Sequence, residues 1–125
     1  MYFLDSYAMI EYLKGTPKFT EIIDKNDICT SDFHLIELYY FGLKDVNKEE
    51  AEKYYEAFST IKVPVSERTL KNAMKTRLEY QKKKMNLSYA DAIGYQYALD
   101  NEMEFLTGDR AFKNLNAVKY LGKST

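Results

Sequence analysis

The sequence predicts an α/β protein in which a parallel sheet is covered by helices on both faces. Two observations carry this expectation. Short apolar strands alternate with helical stretches, an order that needs crossover connections and so a parallel sheet. The glycines and prolines sit singly at turns, with no repeat, low-complexity tract or linker between them, so the domain is continuous over residues 1–125.

Each element follows from local pattern. Tyr2 to Leu4 is a short apolar strand, and Ser6 to about Lys14 is helical. A second short helix follows Pro17, then Ile28, Cys29 and Thr30 read as a strand. Ser31 or Asp32 can cap a helix that runs to about Leu43. Ala51, Tyr54, Tyr55 and Phe58 recur at helical spacing. Ile61, Val63 and Val65 alternate as a strand, and Ser66 opens a long helix with Leu70, Ala73, Met74 and Leu78 expected on its inner face. That helix ends in the cationic run Lys82, Lys83, Lys84, which suits a helix C-terminus. A further helix spans Ser88 to about Asn101, Phe105 and Leu106 form a fourth strand, a short helix holds Ala111 and Phe112, and Ala117 to Tyr120 is a fifth strand. In such folds binding sites collect at the carboxyl edge of the strands.

Composition excludes several classes of function. With 46% apolar and 30% charged residues, the 125-residue chain is that of an ordinary globular domain. No apolar run nears the ~18 residues of a membrane span, and no leader pattern precedes the first strand. Cys29 is the single cysteine, so neither an internal disulfide nor a cysteine zinc site can be built, and a cytoplasmic setting is expected. A formal charge of -1 argues against gripping nucleic acid by bulk positive charge. Any phosphate chemistry would need a local device such as a metal ion.

Four carboxylates stand out. Asp5 ends the first strand, where helix capping is its ordinary role. Glu37 lies among Phe33, Tyr40 and Phe41 at helical spacing, which places a carboxylate along an apolar side unless it reaches out to water. Asp91 follows Ser88 by three residues, as in a capping box. Asp109 follows the fourth strand in Thr107-Gly108-Asp109, an ordinary turn or cap position. Each alone is weak, but strand ends and first helical turns place all four at one edge of the sheet. Converging carboxylates repel by several kcal/mol at low effective dielectric unless a cation joins them. Oxygen ligands select hard ions, Mg2+ or Mn2+, and such a cluster suits phosphoryl chemistry.

Leu4-Asp5-Ser6, Glu37-Leu38, Ser88-Tyr89-Ala90-Asp91-Ala92 and Thr107-Gly108-Asp109 with Phe112 together resemble the PIN domain, over nearly the whole chain. Length, order and spacing most resemble the small VapC-type toxins of prokaryotic toxin–antitoxin pairs. That resemblance implies a three-layer α/β/α sandwich with a central parallel sheet of about five strands and a metal-dependent endoribonuclease using Mg2+ or Mn2+. It also implies a homodimer neutralised by a small antitoxin. Asp5, Glu37, Asp91 and Asp109 would be the catalytic and metal-binding quartet, supported by the hydroxyls of Ser6 and Thr107. Gly108 departs from the pattern, since many relatives carry a larger or basic residue there, which bears on nearby substrate contacts.

Basic residues near the acids are candidate substrate contacts: Lys84, through the short link to Ser88, and Arg110 and Lys113 beside Asp109. His34, the only histidine, is expected on the helix surface or partly packed rather than in catalysis. Twelve tyrosines suggest base stacking, but most fall at packing positions; those around Tyr39, Tyr40, Tyr54, Tyr55 and Phe58 form an aromatic surface for core, dimer or antitoxin packing. Three alternatives stay open at this point: a housekeeping RNA-processing nuclease of the same family, a phosphoacceptor receiver domain, and a non-catalytic RNA-binding module. The receiver fits poorly, because Ile61 to Val65 ends at Ser66 instead of an acceptor Asp, and Asp109 stands where a Lys is expected.

Overall fold

The computed structural model describes residues 1–122. Four parallel strands, β1 (Tyr2–Leu4), β2 (Ile28–Cys29), β3 (Glu104–Thr107) and β4 (Val118–Tyr120), form a sheet in the order β2-β1-β3-β4. The helices are α1 (Ser6–Leu13), α2 (Pro17–Lys25), α3 (Asp32–Asp45), α4 (Lys48–Ser59), α5 (Glu67–Lys82) and α6 (Tyr89–Asp100), with a single 3-10 turn at Arg110–Phe112.

The pleat sorts the strand side chains into two layers. Leu4 and Leu106, paired in register on β1 and β3, join Ala8, Phe19, Leu35 and Phe58 under α1 to α4. Phe3 and Phe105, the preceding registered pair, face the other way and pack with Tyr95, Ala98 and Phe112 under α6. Helix α5 lies against α6 through Ala73, Ala92 and Ile93. The result is the expected three-layer α/β/α sandwich.

Helix starts follow side-chain caps. Asp5, Asn47, Ser66 and Ser88 each accept the backbone N–H three residues on, at 2.8, 2.8, 3.1 and 3.0 Å, satisfying a donor with no partner inside the helix. Because β1 and β3 are neighbours and α6 is capped at their carboxyl edge, the functional candidates from both ends of the chain share one rim.

Two expectations give way. Ile61 to Val65 does not become a strand: it contributes one parallel bridge, Thr30 to Lys62, at the sheet edge beyond β2, so four strands and a bridge stand where about five strands were expected. There Thr30 donates its N–H to the Ile61 carbonyl at 3.2 Å and accepts the Val63 N–H at 2.9 Å, and the ladder stops because the chain turns into α3 at Asp32. Leu78, expected on the inner face of α5, is exposed, because α5 packs on α6 through Ala73 and its neighbours near the start of the helix.

Candidate active site

Asp5 leaves β1 at the carboxyl edge of the sheet and caps α1, so one carboxylate oxygen is occupied by the Ala8 N–H at 2.8 Å. The other accepts a hydrogen bond from the Thr107 hydroxyl at the end of β3. The same hydroxyl oxygen accepts the Asp109 N–H at 2.9 Å, and Asp109 in turn caps the following turn through the Ala111 N–H at 3.0 Å. Thr107, fully buried, therefore fixes two of the four acids at once.

The other pair comes from helices. Ser6, the first residue of α1, donates its hydroxyl to Glu37 at 3.1 Å, which turns that carboxylate toward the sheet edge although its neighbours Phe33 and Tyr40 face solvent. Asp91 gives its N–H to the Ser88 hydroxyl at 3.0 Å, so Ser88 caps α6, and Ser88 in turn favours the charged form of the Asp91 carboxylate. Capping does not take the carboxylate away from the cluster.

The electrostatics bring the four acids into one field. Burial first, then the charges of Asp91 and Asp109, push the Asp5 carboxyl up to about 8, against the pull of Thr107 and Ala8. Burial, Glu37 and Asp109 push Asp91 up to about 6. Burial raises Glu37 too, opposed by the Ser6 hydroxyl. As placed, no group of three or more His, Cys, Asp or Glu side chains among the described residues stands in metal-binding geometry. Like charges repel at short range, so the acids share a field rather than a coordination sphere. The donor set nevertheless fits a hard divalent cation: four carboxylates and two hydroxyls, with Cys29 buried under α6 and no imidazole among them.

His34 is fully buried, deeper than the surface or partly packed position expected of it. Its Nδ1 shares a 2.7 Å hydrogen bond with Ser31, its Nε2 has no hydrogen-bond partner, and its ring lies edge-on against Phe3. Burial drives it down to about 3, with the Ala90 backbone only weakly opposing, so it is neutral and sealed from substrate. The histidine fits there because α6 carries Gly94: a Cβ on that residue would come within 2.8 Å of the imidazole.

The basic candidates are all exposed. Lys84 closes α5 in the left-handed region, with φ 64°, and Arg110 and Lys113 flank the turn after Asp109. Gly108 is explained by Tyr7, whose ring would lie 2.1 Å from a Cβ on that residue. The tyrosine fills the space that a larger residue would take.

The expected aromatic surface is only partly a surface. Phe58 is in the core and Tyr54 and Tyr55 pack against it, while Tyr39 donates to Glu52 at 2.6 Å. The exposed apolar stripe is instead Phe33, Ile36, Tyr40 and Leu43 along α3, passing beside Glu37. Its 3-4-3 spacing was readable, but Ile36 and Leu43 gave no sign of facing outward. Arg77 and Tyr89 were missed altogether: the guanidinium lies 4.3 Å from the ring centroid at the N-terminus of α6.

Parallel strands flanked by helices, with acids from both chain ends and two helices gathered on one rim, define a PIN-type fold. The family model of the PIN domain matches residues 2–118, and the chain belongs to that family. Its fold is that of VapC proteins. A DNA-bound VapBC from Salmonella typhimurium matches at 20% identity and TM-score 0.77, covering 97% of this chain and 96% of that one. VapBC2 from Rickettsia felis, bound to a promoter DNA fragment, matches at 18% and 0.76, covering 98% of each chain. Mycobacterium tuberculosis VapC20, described as a Sarcin-Ricin loop cleaving toxin, matches at 14% and 0.76, covering 94% of this chain and 97% of that one. No curated protein sequence matches the chain. No helix of the described residues is long and apolar enough to cross a membrane.

Proposed function

We propose that this protein is a metal-dependent endoribonuclease, the toxin of a toxin–antitoxin pair, with Asp5, Glu37, Asp91 and Asp109 as its catalytic and metal-binding acids. The observation that carries the reading is the convergence of these acids on one rim of a PIN fold, where Asp91 and Asp109 act on Asp5, and Glu37 and Asp109 act on Asp91. A fold that holds like charges together gains from a cation placed among them.

When bound, Mg2+ or Mn2+ supplies positive charge to the phosphate and makes a water more acidic. The chain's own residues set the geometry. Thr107 and the Ala8 N–H orient Asp5, Thr107 also anchors Asp109 through its N–H, Ser6 turns Glu37 inward, and Ser88 holds the first turn of α6 under Asp91. Water attacks phosphorus in line, leaving a 5'-phosphate and a 3'-hydroxyl. Lys84, Arg110 and Lys113, all exposed, are assigned to flanking phosphates.

The toxin assignment is supported by the likeness to VapBC structures. We assign the protein a homodimeric state and a small antitoxin partner. The antitoxin lays an apolar helix face along Ile36 and Tyr40 of α3 and presents a basic side chain to the acids, since carboxylates that hold a cation also pair with a guanidinium.

The test is incubation of the purified, partner-free protein with a panel of RNAs, with Mg2+, with Mn2+ and with excess EDTA. Cleavage that survives EDTA, or products ending in 2',3'-cyclic phosphate, count against the mechanism. Co-expression with the product of any adjacent small gene, measuring molecular mass, growth arrest and cleavage, tests the toxin reading. A harmless monomer that binds no such product yet cuts RNA is a housekeeping nuclease instead.

A further inference from the structure

We propose that Arg77 and Tyr89 form a nucleotide subsite beside the acids, in which Tyr89 stacks an unpaired base and Arg77 pairs with an adjoining phosphate. The inference rests on the nuclease reading and names a substrate contact for it.

The two residues come from different helices, yet Arg77 is fixed at both ends of its head group. Its Nε donates to the Leu87 carbonyl at 2.9 Å, in the link that leads into α6, and its guanidinium covers one face of the Tyr89 ring at 4.3 Å. None of the salt bridges among the described residues involves Arg77. Its terminal amino groups make no hydrogen bond among the described residues and are left for an anion. Tyr89 remains 63% exposed despite this partner, as a flat ring held in one orientation.

Tyr89 lines a groove of about 580 Å3 between α3, α5 and α6, and Arg77 flanks it by covering one face of that ring. Tyr89, Ser88 and Ala90 line one side, Ile36 and Glu37 another, and Met74 on α5, one turn before Arg77, a third. A ligand lying along it would meet the Tyr89 ring, with the Arg77 cation beside that ring, then an apolar wall and Glu37 of the proposed metal site.

A single-stranded polynucleotide matches that sequence of surfaces. Its phosphate suits the guanidinium, which pairs with planar anions through two N–H groups. Its base suits the ring, since every base offers a π-face for stacking. A basic peptide would meet Arg77 at the rim, and an acidic one would bring carboxylates toward Glu37 with nothing flat to stack. The chain's net charge of -1 makes such a local cation necessary, because no bulk positive field draws the substrate in.

The experiment measures fluorescence anisotropy of labelled octaadenylate and octauridylate in Ca2+ buffer, with the oligomers shown intact by electrophoresis and each variant's fold checked by circular dichroism. Tyr89→Leu is expected to weaken binding of both about tenfold and Tyr89→Phe to stay within about twofold. Arg77→Gln is expected to lower the slope of log affinity against log salt by about one. Removing the base at one position of the oligomer should weaken wild type about tenfold and leave Tyr89→Leu unaffected. Wild-type affinity and salt slope in both Tyr89→Leu and Arg77→Gln overturn the subsite. So does a Tyr89→Leu change in molecular mass with RNA affinity unmoved, which assigns this face to a second copy of the chain. Cleavage of the RNA panel separates the two failures: variants that bind and cut like an active wild type remove the subsite alone, whereas a wild type that neither binds nor cuts removes the function as well.

Discussion

Thr107 donates its hydroxyl hydrogen to Asp5 across 102 residues of sequence, joining the end of β3 to the end of β1. Through the same oxygen it accepts the Asp109 N–H. A single buried hydroxyl thus sets the spacing of two acids that repel each other.

Asp5→Asn is expected to abolish cleavage and to make the metal-free protein more stable at neutral pH. The folded carboxyl titrates near 8 and the unfolded one near 3.8. Between these values the unfolded chain has released its proton while the folded one keeps it, so stability falls as pH rises, by about 1.4 kcal/mol per unit for this group. Urea denaturation in EDTA at pH 6.5 and 8 should show wild type losing about 2 kcal/mol relative to the variant. The unfolded His34 is half protonated at pH 6.5, but its contribution is common to wild type and variant and cancels in the comparison. Equal losses in the two proteins would remove Asp5 from the charged cluster.

Mg2+ or Mn2+ should raise the melting temperature of wild type and do so far less for Asp5→Asn, Glu37→Gln, Asp91→Asn or Asp109→Asn. A ligand bound only by the folded state stabilises it in proportion to its affinity. Each variant should remain folded and lose most activity. Asp91 is the sharpest case, since Ser88 supplies the cap of α6 and Asp91→Asn leaves that hydrogen bond in place. Full turnover in Asp91→Asn would make the residue part of the scaffold.

His34→Ala is expected to cost about 2–4 kcal/mol of stability, the order found for emptying a buried site, with the folded protein keeping most of its activity. The imidazole is sealed under α6 and neutral, so it can neither take a proton from water nor reach a phosphate. Activity lost as completely as in the acidic variants, in protein shown to be folded, would give the histidine a chemical role.

Gly108→Ala is expected to destabilise by about 1–3 kcal/mol, as overpacking does, because its Cβ would run into the Tyr7 ring. Tyr7→Ala removes that ring. Denaturation of the two single variants and the double one should give a double-variant loss smaller than the sum of the single losses. Strict additivity would show that the ring is not what reserves this position for glycine.

The layers of this fold were legible because they rest on local signals. Alternating strand side chains and capping residues at helix starts are written within a few positions of each other, and the acids inherit their placement from those elements. What the sequence could not show depends on partners far along the chain. His34 is buried because Gly94 makes room for it, and Gly108 is small because Tyr7 lies over it. Leu78 fits the apolar stripe of α5, yet the helix it would pack against lies elsewhere. Ile61 to Val65 has strand periodicity, but the strand it would pair with ends where α3 begins at Asp32, and one bridge remains. Arg77 and Tyr89 meet across a loop, and neither residue advertises the other.

The Thr107–Asp5 link also bears on the order in which the proposed site can assemble. Asp5 precedes Thr107 by 102 residues, and β3 stands between β1 and β4 in the sheet. A nascent chain that has reached only α6 carries three of the acids and can pair β2 with β1, but it lacks β3 on the other side of β1 and the Thr107 hydroxyl that fixes Asp5. Such a chain, stopped after Asn101 and assayed on RNA, should be inert. The proposed site therefore cannot assemble until β3 has followed α6 out of the ribosome, which makes its arrangement a late event in the synthesis of this domain.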